Sequence, residues 1–351
     1  MNSIVIAEYK NIISVDRKPF GHGQKVLIES AILASKVGLN VNIACCKEFQ
    51  SESTACFEAQ VLKFAIPVEK YNYHSLIRVF SNIRCILNKS KANVIWFTNI
   101  DWFLLLFLGL YHTRKRIVVT VYRDVFKEID EIGRGRGFLG KIIRRIVSRG
   151  ASKINYAIKT FTDDIAFCGK SAFMPDYIFY DYYLKYNNKD KNNSVLCVGT
   201  MNSSDKDLFG LVSSFNYAHI PLRIIGRFVN PNDYEEAVKM KTDNVHVEDK
   251  YLSKNEYYKI IGKYKYVILP YKMEKYGSST SGVLREALYV GATVIAPQTL
   301  LSGMSLQGIG YTRIEDVPNL LYKDKEIVND LSPYKESSVI RSLKKVFSDV
   351  F

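Results

Sequence analysis

The run Val267-Ile268-Leu269-Pro270-Tyr271 is a short apolar strand ending in proline. Tyr276-Gly277-Ser278-Ser279-Thr280-Ser281-Gly282-Val283-Leu284-Arg285-Glu286-Ala287-Leu288 follows as a loop of small residues that opens a helix. Gly291-Ala292-Thr293-Val294-Ile295-Ala296-Pro297 is the next strand. Strand, small-residue loop, helix and strand make a βαβ unit, and its chemistry sits at the helix start. Ser279, Thr280 and Ser281 offer hydroxyls there, and Gly282 lets a backbone approach closely. The free N–H groups and the dipole of a helix N-terminus attract an anion such as phosphate. Glu286 lies about one turn inside and can accept hydrogen bonds from a ribose diol. The plainer reading of the same residues is a serine N-cap with an ordinary helical glutamate.

The same alternation extends outward. Upstream, the pattern predicts strands at Val195–Gly199, Leu222–Ile225 and Val245–Val247, with helices at Lys206–Asn216 and Lys254–Ile261. A separate series near the N-terminus predicts strands at Ser3–Ala7, Val41–Cys45, Val94–Thr98, Ile117–Tyr122 and Lys153–Ala157. Helices are expected over Gln24–Val37, Tyr73–Ser90, Phe103–Tyr111 and Gly137–Ser148. Short apolar strands alternating with helices indicate parallel sheets covered on both faces. Between the series, Leu184–Asn193 is polar and aperiodic and reads as a linker. The expected organisation is therefore an N-terminal Rossmann-like domain over residues 1–183 and a C-terminal one over 194–330. A terminal helix within 331–351 is marked by Val339, Leu343, Val346 and Phe347, and can cross back to the first domain.

Composition narrows the class. At 351 residues, with 47% hydrophobic and 24% charged residues, the chain has the profile of a globular protein of two domains. Its longest apolar run, Trp102–Tyr111, is 10 residues, about half of what a bilayer-spanning helix requires. The N-terminal Met1-Asn2-Ser3-Ile4-Val5-Ile6 reads as a first strand, not as a signal peptide. The 6 cysteines show no C-x-x-C spacing and read as buried thiols of a reducing compartment. The net charge, 49 − 35 = +14, points to an anionic partner. No helix-turn-helix, RNP or zinc-finger pattern supports nucleic acid as that partner.

The stretch from residue 195 to 300 resembles the C-terminal domain of GT-B glycosyltransferases, in particular the family-4-like (group 1) enzymes of bacterial surface-polysaccharide synthesis. The likeness rests on Val195-Leu196-Cys197-Val198-Gly199-Thr200 followed by Lys206, on Leu222-Arg223-Ile224-Ile225-Gly226, on Val245–Tyr258 with Leu252-Ser253-x-x-Glu256, and on the opening motif with its Glu286-Ala287-Leu288. It implies an α/β GT-B fold, two Rossmann-like doubly wound domains facing each other across a cleft. It also implies transfer of a sugar from a nucleotide-sugar donor to a glycan or lipid-linked acceptor. Carried over residue by residue, Ser278, Ser279, Thr280, Ser281 and Gly282 would face the diphosphate, and Glu286 the ribose. Gly199, Thr200, Lys206 and Arg227 would line the donor site. In the N-terminal half, Gly21-His22-Gly23 resembles the family's Gly-Gly loop near the donor phosphates. Three departures stand out: the first glutamate of the family's Glu-x₇-Glu is Ser278 here, its arginine after the first-strand glycine is Thr200, and the histidine common after its threonine-containing N-domain strand is Tyr122, followed by Arg123 and Asp124.

An inverting transfer would need a general base near the acceptor, and Asp124, Asp16 and His22 are the candidates on loops. No Asp-x-Asp stands near the donor residues, and Asp163-Asp164 reads as a helix start. Neither an obligatory metal nor a cofactor is expected, because lysine and a helix dipole can supply the positive charge. Arg134–Lys153 holds seven basic residues and no acidic one, interleaved with Phe138, Leu139, Ile142, Ile143, Ile146 and Val147. Such a basic amphipathic helix suits an anionic membrane surface, so the expected location is cytoplasmic, peripheral on the inner face of the cytoplasmic membrane. The competing readings are another GT-B activity, an epimerase or a phosphorylase, and a non-catalytic basic membrane- or nucleic-acid-binding protein.

Overall fold

A computed structural model describes residues 2–12, 23–50, 63–69, 76–122, 125, 137–160, 169–174, 184–276, 281–304, 306–322, 327 and 329–351, except for the side chains of residues 76, 254, 275 and 276. The chain divides into two compact units, Met1–Ile178 with Ser337–Phe351, and Phe179–Glu336.

The first unit is built on β1 (Ser3–Ala7), β2 (Asn40–Cys45), β3 (Lys63–Pro67), β4 (Val94–Phe97), β5 (Arg116–Val121), β6 (Ile154–Lys159) and β7 (Lys170–Phe173). Its sheet runs β3-β2-β1-β4-β5-β6-β7, with every pairing parallel. Val94, Ile95, Trp96 and Phe97 are all buried, as a central parallel strand covered on both faces requires. Its helices include α1 (Gly23–Lys36), α2 (Leu76–Lys89), α3 (Trp102–Leu110) and α4 (Gly137–Ala151). Helix α3 is apolar nearly all round and starts at an Asp101 N-cap, whose side chain accepts from the Leu104 N–H. It packs on α4 so tightly that the backbones touch. A Cβ added to Gly109 would stand 2.0 Å from the Ile146 carbonyl oxygen, and one on Gly150 would stand 1.8 Å from that of Leu105. Glycine at both contacts is what lets the helices come this close.

The last helix, α9 (Glu336–Val350), belongs to this first unit. It buries Val339, Leu343, Val346, Phe347 and Val350 at helical spacing. Phe347 meets Trp96 edge to face, 5.8 Å between ring centroids. Arg116 donates to the carbonyls of Val350 and Phe351, capping the helix end.

The second unit carries β8 (Asn192–Val198), β9 (Leu222–Gly226), β10 (Val245–Asp249), β11 (Tyr264–Ile268), β12 (Thr293–Pro297) and β13 (Ile309–Tyr311), ordered β10-β9-β8-β11-β12-β13 and again wholly parallel. Its principal helices are α5 (Leu208–Phe215), α6 (Pro231–Met240), α7 (Lys254–Gly262) and α8 (Gly282–Tyr289).

Two expectations need correcting. Leu184–Asn193 is not a free linker: β8 begins at Asn192, Tyr186 packs against Tyr258, and Lys191 Nζ donates to the carbonyls of Gly262 and Val290 at 2.9 and 2.7 Å. A lysine that caps two helix ends holds polar chain against the unit, and burial pulls its pKa down to about 8. Nor does a helix start at Lys206. Asp207 is the N-cap of α5, accepting from the Gly210 N–H at 3.1 Å, and Lys206 lies in the loop before it.

Candidate functional site

In an open parallel sheet, ligands bind outside the carboxyl ends of the strands where the strand order reverses. In the second unit that point lies between β8 and β11. Gly199 ends β8 at φ +106°, a left-handed conformation, and a Cβ on Gly226 at the end of β9 would stand 1.8 Å from the Gly199 carbonyl oxygen. Glycine at both positions brings two strand ends into backbone contact. A Cβ added to Gly199 would meet Val283 of α8 at 3.7 Å, so the first turn of α8 lies beside it.

Loop 199–207 is knitted to the loop after β11. Lys206 forms an antiparallel bridge with Tyr271, the Asp207 N–H donates to the Pro270 carbonyl at 2.7 Å, and Lys272 Nζ donates to the Ser203 carbonyl at 2.9 Å. The result is a lysine only 5% exposed, its ammonium 5.8 Å from the centre of the Tyr271 ring. Among the described residues none forms an ion pair with Lys206. Its charge is close enough to Cys197 to counter, in part, the rise that burial imposes on that thiol. The Tyr271 hydroxyl and Ser281 Oγ are 3.1 Å apart, and Ser281 Oγ accepts from the Leu284 N–H as the N-cap of α8. Ser281 is therefore the helix cap as well as a neighbour of the candidate anion site, and both readings of that residue meet in one hydroxyl.

Glu286, one turn into α8, is buried, and its carboxylate accepts from the hydroxyls of Tyr257 and Tyr258 of α7. Thus Gly199 lies against the first turn of α8, Lys206 reaches its Ser281 cap through Tyr271, and Glu286 follows one turn further along the helix from Gly282. Thr200 and Arg227 are exposed at the ends of β8 and β9. Ser278, Ser279, Thr280, Gly21, Asp16, His22 and Asp124 lie outside the described residues. Gly23 is the first residue of α1 in the other unit.

The first sheet reverses its order between β1 and β4, and there the structure shows residues that sequence reasoning missed. Glu8, 4% exposed, accepts from the Lys10 N–H at 3.0 Å and from Thr98 Oγ1 at 3.1 Å. Asp101 accepts from the Tyr9 hydroxyl at 2.7 Å and pairs with Lys10 Nζ at 2.6 Å. Burial pushes the Glu8 carboxyl above its ordinary range, against the pull of the Lys10 N–H and its charge. The available signal was the acid directly after the first strand, Ala7-Glu8.

No protein-family model matches this sequence, and no curated protein matches it. Solved structures do match along the whole chain. The lipopolysaccharide outer core galactosyltransferase WaaB superposes with a TM-score of 0.61 at 12% identity, covering 99% of this chain and 99% of that one. Anabaena HepE, solved with UDP and glucose, gives 0.61 at 12% identity, covering 100% and 96%. A Listeria monocytogenes protein assigned as a UDP-N-acetylglucosamine 2-epimerase gives 0.62 at 13% identity, covering 100% and 98%. With two parallel, doubly wound sheets and agreement at this coverage, the chain has the GT-B fold.

Proposed function

We propose that this chain is a nucleotide-sugar-dependent glycosyltransferase that moves a sugar onto a glycan or lipid-linked acceptor in cell-surface polysaccharide synthesis. The observation that carries the reading is the buried Lys206 ammonium, linked through Tyr271 to the Ser281 cap of α8, with Glu286 one turn deeper in that helix. As the bond from the anomeric carbon to the diphosphate breaks, negative charge grows on the leaving oxygen. A lysine already stripped of most of its water, together with a helix dipole, stabilises that charge without reorganising. Glu286 would orient the ribose, and so place the anomeric carbon. Lysine and dipole supply the positive charge, so the reaction in this reading needs no obligatory metal, and chelation should leave the rate unchanged. Asp124, Asp16 and His22 remain the candidate bases toward the acceptor. The galactosyltransferase and the structure solved with UDP and glucose, both similar to this chain, favour this reading. Incubation with a panel of nucleotide sugars tests it: slow release of free sugar and nucleoside diphosphate from one donor is the expected result. The epimerase-like neighbour supports a second reading, in which the same assay would return an epimerised sugar in place of a transferred or hydrolysed one.

The acceptor side of the proposal is an anionic membrane. No described helix is long and apolar enough to cross a bilayer, but α4 offers a surface. Phe138, Leu139 and Ile142 are 79%, 59% and 40% exposed, and Lys141, Arg145 and Arg149 are exposed beside them. Phe138, Lys141, Ile142, Arg145 and Arg149 recur three or four residues apart and so share one helix face. Not all six apolar residues of the expected amphipathic helix join this surface: Val147 is buried in the core, and Ile143 and Ile146 are half-buried. Lys153 is also committed elsewhere, donating to the carbonyls of Leu108 and Tyr111 at the end of α3. Arg134 and Arg136 lie outside the described residues. Each basic side chain near an anionic surface contributes about 1 kcal/mol. The Lys141→Ser, Arg145→Ser, Arg149→Ser variant should then leave anionic vesicles at moderate salt while keeping donor hydrolysis. Equal sedimentation of this variant and the parent protein would refute the membrane role.

A further inference from the structure

Glu286 belongs to α8, but the groups that hold its carboxylate come from α7. Tyr257 Oη donates to Oε2 at 2.8 Å, and Tyr258 Oη donates to Oε1 at 3.1 Å. Successive side chains of a helix point about 100° apart, so a carboxylate reached by both lies clasped between them. The two rings meet edge to face, 5.3 Å between centroids at 73°. Neither tyrosine is loosely placed. A capping box between Ser253 and Glu256 fixes the first turn of α7, and its glutamate directly precedes Tyr257. Tyr258 packs on Tyr186, 5.5 Å between centroids. Burial and the nearby Glu286 charge hold the Tyr257 hydroxyl well above its ordinary range, so it keeps its proton and donates throughout the neutral range.

A glutamate side chain otherwise turns about three bonds, and a ligand that uses it must stop that motion. Here each oxygen is already tied by a neutral donor on a packed ring. A carboxylate has about four acceptor directions, and the two tyrosine hydroxyls take one on each oxygen. We infer that Tyr257 and Tyr258 are positioning residues that set the Glu286 carboxylate to take the 2′- and 3′-hydroxyls of a nucleotide, making the site selective for ribonucleoside over deoxyribonucleoside diphosphates. This rests on the donor-binding reading above. A site built to bond a hydroxyl rejects the analogue lacking it far more strongly than shape alone allows. The opposite arrangement, a latch in which the tyrosines compete with the ribose, predicts the opposite sign.

The test is calorimetry on the full chain with UDP and 2′-deoxy-UDP, and with the guanine and adenine pairs alongside. Proteins compared are the parent, Tyr257→Phe, Tyr258→Phe, the double variant and Glu286→Gln; the phenylalanines keep the ring packing. The parent should bind one ribonucleoside diphosphate at least about 10-fold tighter than its deoxy partner. The double variant should bring that ratio toward one by weakening the ribo form, with the deoxy form changed by no more than about 2-fold. Equal weakening of both forms would mean a merely structural role, and tighter binding of the ribo form would mean a latch; either overturns the inference. If Glu286→Gln abolishes the preference and the tyrosine variants leave it intact, the inference fails and the ribose assignment stands. If the parent shows no preference, or binds no nucleotide, the ribose assignment fails and the inference with it. Should the double variant not fold, as judged by its melting curve, Tyr257→Phe alone decides: a reduced ratio supports the inference and an unchanged one overturns it.

Discussion

The two sheets reverse their strand order in the same way, and the residues at the two reversals are electrostatic opposites. Between β8 and β11 stands a buried cation, Lys206, supported by an aromatic ring and without an ion pair among the described residues. Between β1 and β4 stand two buried carboxylates, Glu8 and Asp101, with Lys10 paired to one of them. Equal topology makes two equivalent crevices, and the loops decide what each can hold. A buried cation with no ion pair among the described residues is an arrangement that an anion can complete. The Lys10–Asp101 pair is already complete, and Asp101 also caps α3, so much of the polar chemistry of the first crevice is structural.

That contrast can be broken in three ways. The largest effect should come from Asp101→Ala. It strands Lys10, the Tyr9 hydroxyl and the first turn of α3, and losing one partner of a buried pair costs about 3–5 kcal/mol. The chain has 2 tryptophans, Trp96 and Trp102, both in the first unit. Denaturant unfolding followed by their fluorescence therefore reads this unit, and a loss under about 1 kcal/mol would show the pair to be screened by solvent. Next in size is Lys206→Met, which keeps the stem and removes the charge. With no ion pair to break, hydrogen exchange in β8 and β11 should be no faster, whereas nucleoside diphosphate binding should weaken by about 1.5–3 kcal/mol. Unchanged binding would place Lys206 among structural residues and erase the contrast. The smallest effect concerns Glu8, whose folded pKa lies above the ordinary 4.5. The folded state then holds this proton more tightly than the unfolded state. Its contribution is fully present below about 4.5 and is lost as pH rises through the folded value. Melting temperatures of Glu8→Gln measured against the parent across that range should show the variant gaining as pH rises; parallel curves would contradict the raised pKa.

The fold was legible because central strands of a parallel sheet are apolar on both faces. Val94–Phe97 and Val195–Val198 can hardly be read otherwise. The elements that escaped are those that bury little. β3 and β7 are edge strands whose residues are largely exposed, and α6 buries only Asp233 and Ala237 of its ten residues. Lys206, Ser281 and Glu286 were legible because a lysine after a glycine-ended strand and small residues at a helix start carry local chemistry. Glu8, Asp101, Tyr257 and Tyr258 carry theirs only through space. Tyr9 and Asp101 are 92 residues apart, and the tyrosines reach Glu286 across 29 and 28 residues. No periodicity encodes such pairings.

The return of α9 to the first unit sets an order of events during synthesis. Domains of a growing chain tend to fold as units, the N-terminal one first. Here the first unit's Trp96 waits for Phe347, which leaves the ribosome only after all of β8 to β13 has been made. The second unit, continuous from Phe179 to Glu336, can close on its own in the meantime. The nascent protein therefore carries a second unit that can finish before the unit preceding it, and a chaperone would find its apolar target on the older segment.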